Sequence, residues 1–283
     1  MFTLRQYLLA LLDSRGLTRT LGEIDVCRDE QGRPCFSAGN SAAVFRIRLG
    51  GRIRSLRCYL RPMRHLKEIY GQRLLEKELY LHTSPETGVW VDTVLGDWIE
   101  GSTLHETVAQ AAALRDRECL QILVRLFDRL ALALVTDDRA HGDLKPENII
   151  VGDDGTLCPI DFDASYLPAF AGEISPELGT AAYQHPARTA ADFDERIDDY
   201  PAALISTALH ALAEDPTLWD RYGSSDGLLY TPQRIASDPA YRETLALFEK
   251  RGMAVQYRIA QLLTAPTLRL FGLAELLAEA VRE

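Results

Sequence analysis

Apolar positions recur at helical spacing from Leu4 to Leu12, which predicts an amphipathic N-terminal helix. The period then changes. "LGEIDVCRD" alternates as a strand does, and "EQGRP" reads as a turn. "AAVFRIRLGGRIRSLRCYL" reads as two alternating strands joined at Gly50-Gly51, a hairpin signal. Arg46, Arg48, Arg54 and Arg57 alternate there with Phe45, Ile47, Leu49 and Ile53, so one face of the hairpin is solvated. "RHLKEIYGQRLLEKELY" places Leu66, Ile69, Tyr70 and Leu74 at helical spacing and predicts a helix. "GVWVDTVLGDWIEG" predicts a further strand that ends in a short connector.

Helices dominate from Leu104 onward. "ECLQILVRLFDRLALALVTDD" predicts a long apolar helix at the centre of its lobe, and "DDYPAALISTALHALAED" a second buried one. Between them "NIIVGDDGTLCPIDF" predicts two short strands joined by an Asp-Gly turn. From Pro216 the chain alternates helical patterns with Pro and Gly breaks, and no internal repeat or low-complexity linker interrupts it. The expected architecture is α+β, with a small β-rich lobe over residues 1–97 and a larger helical lobe over 98–283, together one domain.

With 283 residues, 47% of them hydrophobic, each lobe has enough chain to bury a core. The net charge of −10 argues against nucleic acid or an anionic membrane as partner. No apolar run is long enough to span a bilayer, and "YLLALL" is short and lacks a cleavage site. Five scattered cysteines without a CxxC pair fit a reduced, cytoplasmic protein better than a disulfide scaffold or a zinc site.

The chemistry concentrates in "HGDLKPENII", His141 to Ile150, where polar groups run straight into a buried strand. The hairpin that follows brings "IDFD" back beside it, so Asn148 and Asp161 can share a hard cation such as Mg²⁺. Asp143, five residues before Asn148, is placed to orient a substrate hydroxyl or accept its proton. Lys145 can neutralise charge on a transferring phosphoryl group. Asp143, Asn148 and Asp161 could instead be plain turn formers, but a random turn would not also supply Lys145 and two paired strands. His141 reads as a packed structural histidine rather than a base.

"HGDLKPEN" and "DFD" resemble the catalytic loop and the metal-binding motif of the protein-kinase family, and further segments follow in that family's order. "SAGNSAAVF" sits where the phosphate-covering loop belongs, "LRCYL" at the third strand and "GDWIEGSTL" at the hinge. "GTAAYQHPAR" matches the end of the activation segment, and "IDDYPAAL" the next helix, with Asp198 as its anchoring carboxylate. "KPEN" is similar to the serine/threonine type, and the whole resembles bacterial kinase-like proteins. The resemblance implies a two-lobed kinase-like fold with the site between the lobes, using ATP and Mg²⁺. It implies Asp143 and Lys145 as catalytic groups and Asn148 and Asp161 as metal ligands. For the nucleotide it implies Gly39, Val44, Arg57 with a helical glutamate, Glu68 or Glu76, and the backbones of Asp97 and Ile99. The partner is a protein substrate or a regulatory partner; the oligomeric state is not legible.

Several positions depart from that pattern. Arg57 stands where a lysine belongs, and its planar fork is not a simple replacement. The phosphate loop keeps one glycine, Gly39, of three. Asp163 replaces the glycine of the metal motif, and Ala187 a glutamate at the segment's end. Gly142 takes the place of the arginine that precedes the catalytic Asp (a non-RD pattern), so a switch by phosphorylation of the segment is not expected. These departures leave two rival readings: a nucleotide-binding pseudokinase that acts as scaffold, or a small-molecule kinase, which the His-Gly-Asp sequence favours.

Overall fold

The computed structural model describes residues 1–282 and divides into two compact units, Met1–Ile99 and one that begins at Glu100. The first is built on a β-sheet and the second on helices, an α+β content consistent with a kinase-like fold.

In the first unit, α1 (Leu4–Leu12) is closed at its start by a reciprocal cap. The Thr3 hydroxyl accepts from the Gln6 amide at 3.3 Å, and the Gln6 side chain accepts from the Thr3 amide at 2.9 Å. Strands β1 (Asp25–Val26), β2 (Phe36–Ala38), β3 (Ala42–Leu49) and β4 (Arg52–Tyr59) follow. Then come α2 (Leu66–Tyr70), β5 (Leu74–His82) and β6 (Gly88–Asp97). Among the described residues the sheet runs β1-β3-β4-β6-β5, with β2 also paired to β3. Gly50 and Gly51 turn β3 into β4 at φ 55° and 78°, the left-handed pair that a two-residue hairpin needs. That turn sets the register, with Phe45 opposite Leu56 and Val44 opposite Arg57. Phe45, Ile47, Leu56 and Cys58 therefore share one face, which packs with Tyr7, Ala10 and Leu11 of α1 and with Leu79 and Leu81 in a single buried cluster. The Tyr7 hydroxyl fixes the helix to the sheet by donating to the Tyr59 carbonyl at 2.6 Å.

The helix expected over residues 64–80 is not formed. Only five residues are α-helical, Leu66–Tyr70; a 3-10 turn over Gly71–Arg73 follows, and the chain re-enters the sheet at Leu74. Gly71 (φ 53°, ψ −125°) ends the helix in a conformation that residues with side chains avoid. Beyond it Leu79 and Leu81 alternate into the core, so strand period wins over helix period. Glu78, next to Leu79, is buried as well. Its carboxylate takes the amides of Arg19, Thr20 and Leu21 at 3.1, 2.8 and 2.9 Å and the Thr20 hydroxyl at 2.6 Å. A buried carboxylate so fully bonded ties the incoming chain to β5.

The second unit starts with β7 (Gly101–Thr103), α3 (Leu104–Leu114) and α4 (Arg117–Thr136). It continues with β8 (Ile149–Gly152), β9 (Leu157–Pro159) and α5 (Asp199–Glu214). Helices α6 (Leu218–Tyr222), α7 (Pro239–Arg251), α8 (Ala254–Leu262) and α9 (Leu273–Ala280) complete it. Leu120, Leu123, Val124, Phe127, Ala131 and Val135 make one apolar stripe on α4, which packs in a common cluster with the almost wholly buried α5. Complete burial of Phe127 alone contributes roughly 1.5–3 kcal/mol. One polar group crosses this core: Asp128 accepts from Ser206 Oγ at 2.7 Å and lies 2.8 Å from His210 Nε2, which joins α4 to α5. The predicted Asp-Gly hairpin is present, with Gly155 at φ 78° between β8 and β9. Among the described residues no helix is long and apolar enough to cross a membrane.

Candidate active site

Residues 141–148 are the second part of the connection between α4 and β8, and the first two of them are held from the start of α5. Asp198, buried at the start of that helix, accepts from the His141 and Gly142 amides, the latter at 3.0 Å. His141 is buried and uses both ring nitrogens. Nδ1 accepts from the Asp143 amide at 3.4 Å, which leaves Nε2 to donate to the Ile160 carbonyl at 2.8 Å. Its ring packs on Phe162 with centroids 5.0 Å apart. His141 is thus a structural pin between the two motifs, and no proton-transfer role is left for it.

The next six residues carry the polar groups. Asn148 donates its side-chain amide to the Asp143 carbonyl at 2.9 Å and to its carboxylate at 3.2 Å. The other carboxylate oxygen of Asp143 accepts from the Thr180 amide at 2.6 Å. Lys145 Nζ lies 3.5 Å from Asp143 and donates to the Thr180 hydroxyl at 2.9 Å. A carboxylate, an amino group and a hydroxyl therefore meet at one point, on side chains that are mostly but not completely shielded. Such a group can orient a hydroxyl and stabilise charge that develops on a neighbouring phosphoryl oxygen.

The β8–β9 hairpin returns the chain to this loop, where the Ile160 amide donates to the Asn148 carbonyl at 2.9 Å. Asp161 follows immediately, in the left-handed region at φ 67° and ψ 62°. A side-chain-bearing residue held there stores on the order of 1 kcal/mol of strain, which points to a functional constraint. Asp163 is buried in the short turn beyond it. Among the described residues no group of three or more His, Cys, Asp or Glu side chains is arranged to hold a metal alone. Asn148 spends its NH₂ on Asp143, so its oxygen remains for a ligand, and Asp161 is the carboxylate in the adjoining strand connection. Two hard oxygen donors fit Mg²⁺, which keeps several waters or phosphate oxygens rather than a full protein cage.

In the first unit, Val44 and Arg57 are direct cross-strand partners, and Val94 lies opposite Arg57 on the other side. All three side chains leave the face that α1 does not cover. The Arg57 guanidinium lies over the Tyr59 ring, 5.7 Å from its centroid. Glu68 is exposed on the short α2, while Glu76 lies on β5, paired with Lys67 at 3.4 Å. Gly39 donates to the Ala42 carbonyl at 2.9 Å in the β2–β3 turn, where an added Cβ would meet nothing closer than 4.0 Å. Asp97 ends β6; its side chain pairs with Arg54 at 2.9 Å, and its carbonyl accepts from Ser55 Oγ at 3.1 Å. A carbonyl has two lone pairs, so that oxygen retains capacity for a ligand donor. Ile99 closes the unit, half-buried. Of the connector residues, Ser102 pairs with Val151 in the β7–β8 ladder and Thr103 caps α3, so this stretch builds secondary structure.

Sequence reasoning did not single out Thr180 or Arg188, although both lie inside the quoted "GTAAYQHPAR". Thr180 meets Asp143 and Lys145, and Arg188 Nη1 donates to the Gly142 carbonyl at 3.1 Å. No periodicity marks either residue, because both act through loop geometry rather than through a helix or strand face.

Comparison with known proteins gives partial matches. CBL-interacting protein kinase 17 of Oryza sativa subsp. japonica is 28% identical over 172 residues, 58% of this chain and 35% of that protein. Serine/threonine-protein kinase PknL of Mycobacterium tuberculosis is 34% identical over 113 residues, 38% of this chain and 27% of that protein. The chain thus spans about a third or less of the length of these relatives. No family model matches it. The partial likeness supports a kinase-like family and, with it, phosphotransfer in general.

Proposed function

We propose that this chain transfers the terminal phosphate of ATP to a serine or threonine hydroxyl of a protein, with Mg²⁺ as cofactor. The observation that carries the reading is the meeting of Asp143, Lys145, Asn148 and Thr180 at one point on a loop pinned by Asp198. Asp143 orients the acceptor hydroxyl and takes up its proton. Lys145 stabilises charge on the phosphoryl oxygens as it builds. Asn148 and Asp161 would hold the Mg²⁺, which when bound neutralises phosphate charge. Gly39, Val44, Arg57 and the backbones of Asp97 and Ile99 are the nucleotide contacts that the resemblance implies. The names of the relatives, both protein kinases and one of them serine/threonine-specific, support a protein hydroxyl as acceptor.

A second reading, a nucleotide-binding pseudokinase, draws on one observation. The helix expected to bring a glutamate to Arg57 is five residues long, with Glu68 exposed and Glu76 engaged by Lys67. A third reading, a small-molecule kinase, draws on the His141-Gly142-Asp143 sequence. Thermal shift with Mg-ATP followed by labelled phosphate transfer separates the three. A rise in melting temperature with transfer to protein supports the proposal. A rise without transfer supports the scaffold, and transfer to small molecules alone overturns both.

A further inference from the structure

Arg188 is 9% exposed, and only one of its three nitrogens is bonded. Nη1 donates to the Gly142 carbonyl at 3.1 Å and to Gln184 Oε1; Nε and Nη2 are buried with no partner. Burial pushes its pKa down, and the carboxylates of Asp198, Asp143, Asp192 and Asp194 act in the opposite sense. A guanidinium removed from water without a bidentate partner is a net cost, commonly several kcal/mol, so stability does not account for it. Its position does. Asp198 already holds the His141 and Gly142 amides, and Arg188 holds the carbonyl of the same Gly142, the peptide that leads into Asp143.

We propose that Arg188 is a positioning residue for the phosphotransfer site, an internal cation that fixes the Gly142–Asp143 peptide without phosphorylation of the segment before it. The proposal rests on the phosphotransfer reading and adds how that site is regulated. Gly142 cannot supply the cation itself, because at φ 80° any side chain would run into Ala164. Four hydroxyls of the segment are also engaged or enclosed. Ser165 Oγ donates to the His141 carbonyl at 3.4 Å and Ser175 Oγ to the Glu177 carbonyl at 2.5 Å. Thr180 accepts from Lys145, and Tyr183 is 1% exposed. With the cation built in and these four hydroxyls engaged or enclosed, the catalytic loop is set as soon as the chain folds.

The test uses Arg188→Met, which removes charge and donors at similar volume, and Arg188→Lys, which restores charge alone. Three measurements are made on the full chain: ATP-dependent transfer to casein, melting temperature, and hydrogen exchange of peptides covering residues 139–145. In Arg188→Met turnover should fall roughly ten- to hundredfold, the scale of an ångström's misplacement, while KM for ATP stays within about twofold. Exchange in 139–145 should quicken with α4 and α5 unchanged, and the melting temperature should hold or rise. Arg188→Lys should recover part of the turnover. Natural turnover with natural loop exchange in Arg188→Met overturns the proposal. So does a falling melting temperature with faster exchange everywhere, which would make Arg188 a packing residue. If the natural protein transfers no phosphate, the functional reading fails, and the exchange measurement alone still decides whether Arg188 holds the loop.

Discussion

Gly142 and Ala164 approach so closely that a Cβ on Gly142, at φ 80°, would stand 2.1 Å from the Ala164 carbonyl oxygen. Substitution therefore forces both a left-handed side-chain residue and a displaced backbone. Gly142→Ala should cost roughly 2–4 kcal/mol, about 1 from the dihedral and the rest from overlap. Urea unfolding reads this as a lower midpoint at an unchanged slope. Gly142→Arg, which would install the arginine of the kinase pattern that the loop resembles, should be worse still. An unshifted midpoint in Gly142→Ala would mean that the two strands of backbone lie further apart than they do here.

Asp143 and Asp161 should separate transfer from binding. Asp143 bonds the Thr180 amide through one oxygen, a bond that Asn at this position can keep, so Asp143→Asn should fold and bind Mg-ATP normally. Its turnover should fall by about 10²–10⁴, the usual contribution of a positioned base. Asp161→Asn should instead abolish the Mg²⁺ dependence of ATP affinity, because a neutral amide replaces the carboxylate offered to the cation. Isothermal titration and turnover measured side by side decide the matter. Equal loss of both quantities in Asp143→Asn would make that residue structural.

What the sequence reveals depends on whether a local rule or a distant partner decides. The Gly50-Gly51 hairpin was readable because only a left-handed pair makes that turn. The 141–148 loop, its return hairpin and the Asp198 anchor were readable because motif spacing survives in backbone bonds. "LLEKELY" was not, since Leu74 fits a helix and Leu79 and Leu81 fit a strand. What decides is the core beneath α1 and the Glu78 carboxylate buried under residues 19–21, neither of them visible locally. Thr180 and Arg188 escaped notice for the same reason. They reach Asp143 and Gly142 across 37 and 46 residues of sequence.

Arg57 tests how far the site has adapted to an unusual cation. Its guanidinium lies 5.7 Å from the Tyr59 ring centroid, and its planar fork of donors is what a lysine cannot reproduce. Arg57→Lys should therefore lower turnover, by about threefold to tenfold if the weakened ring contact and lost donors are worth about 1 kcal/mol. Arg57→Ala should lower it further and weaken ATP binding. A gain in turnover with lysine would mark Arg57 as a degraded lysine, and no change in either variant would remove it from the nucleotide site.

Asp199 gives the fold its own pH dependence. It is fully buried at the start of α5, where it accepts from the Leu270 amide at 3.1 Å and pairs with Arg196 at 3.0 Å, and its Oδ1 has no partner. Burial pushes its pKa up from 3.8 to about 6, against the opposing pull of the Leu270 amide and Arg196. Because the folded value is the higher one, the native state binds a proton that the unfolded chain has released. This contribution is complete below about pH 4 and is lost as pH rises through about 6. A shift of about two units corresponds to about 3 kcal/mol. Asp199→Asn cannot ionise and keeps an acceptor for Leu270. The stability of that variant relative to the natural protein should rise by roughly 2–3 kcal/mol between pH 4 and pH 7, measured by urea unfolding at each pH. Subtracting the two proteins cancels every other titrating group. A difference that stays flat across the range would show that the buried carboxyl does not titrate there.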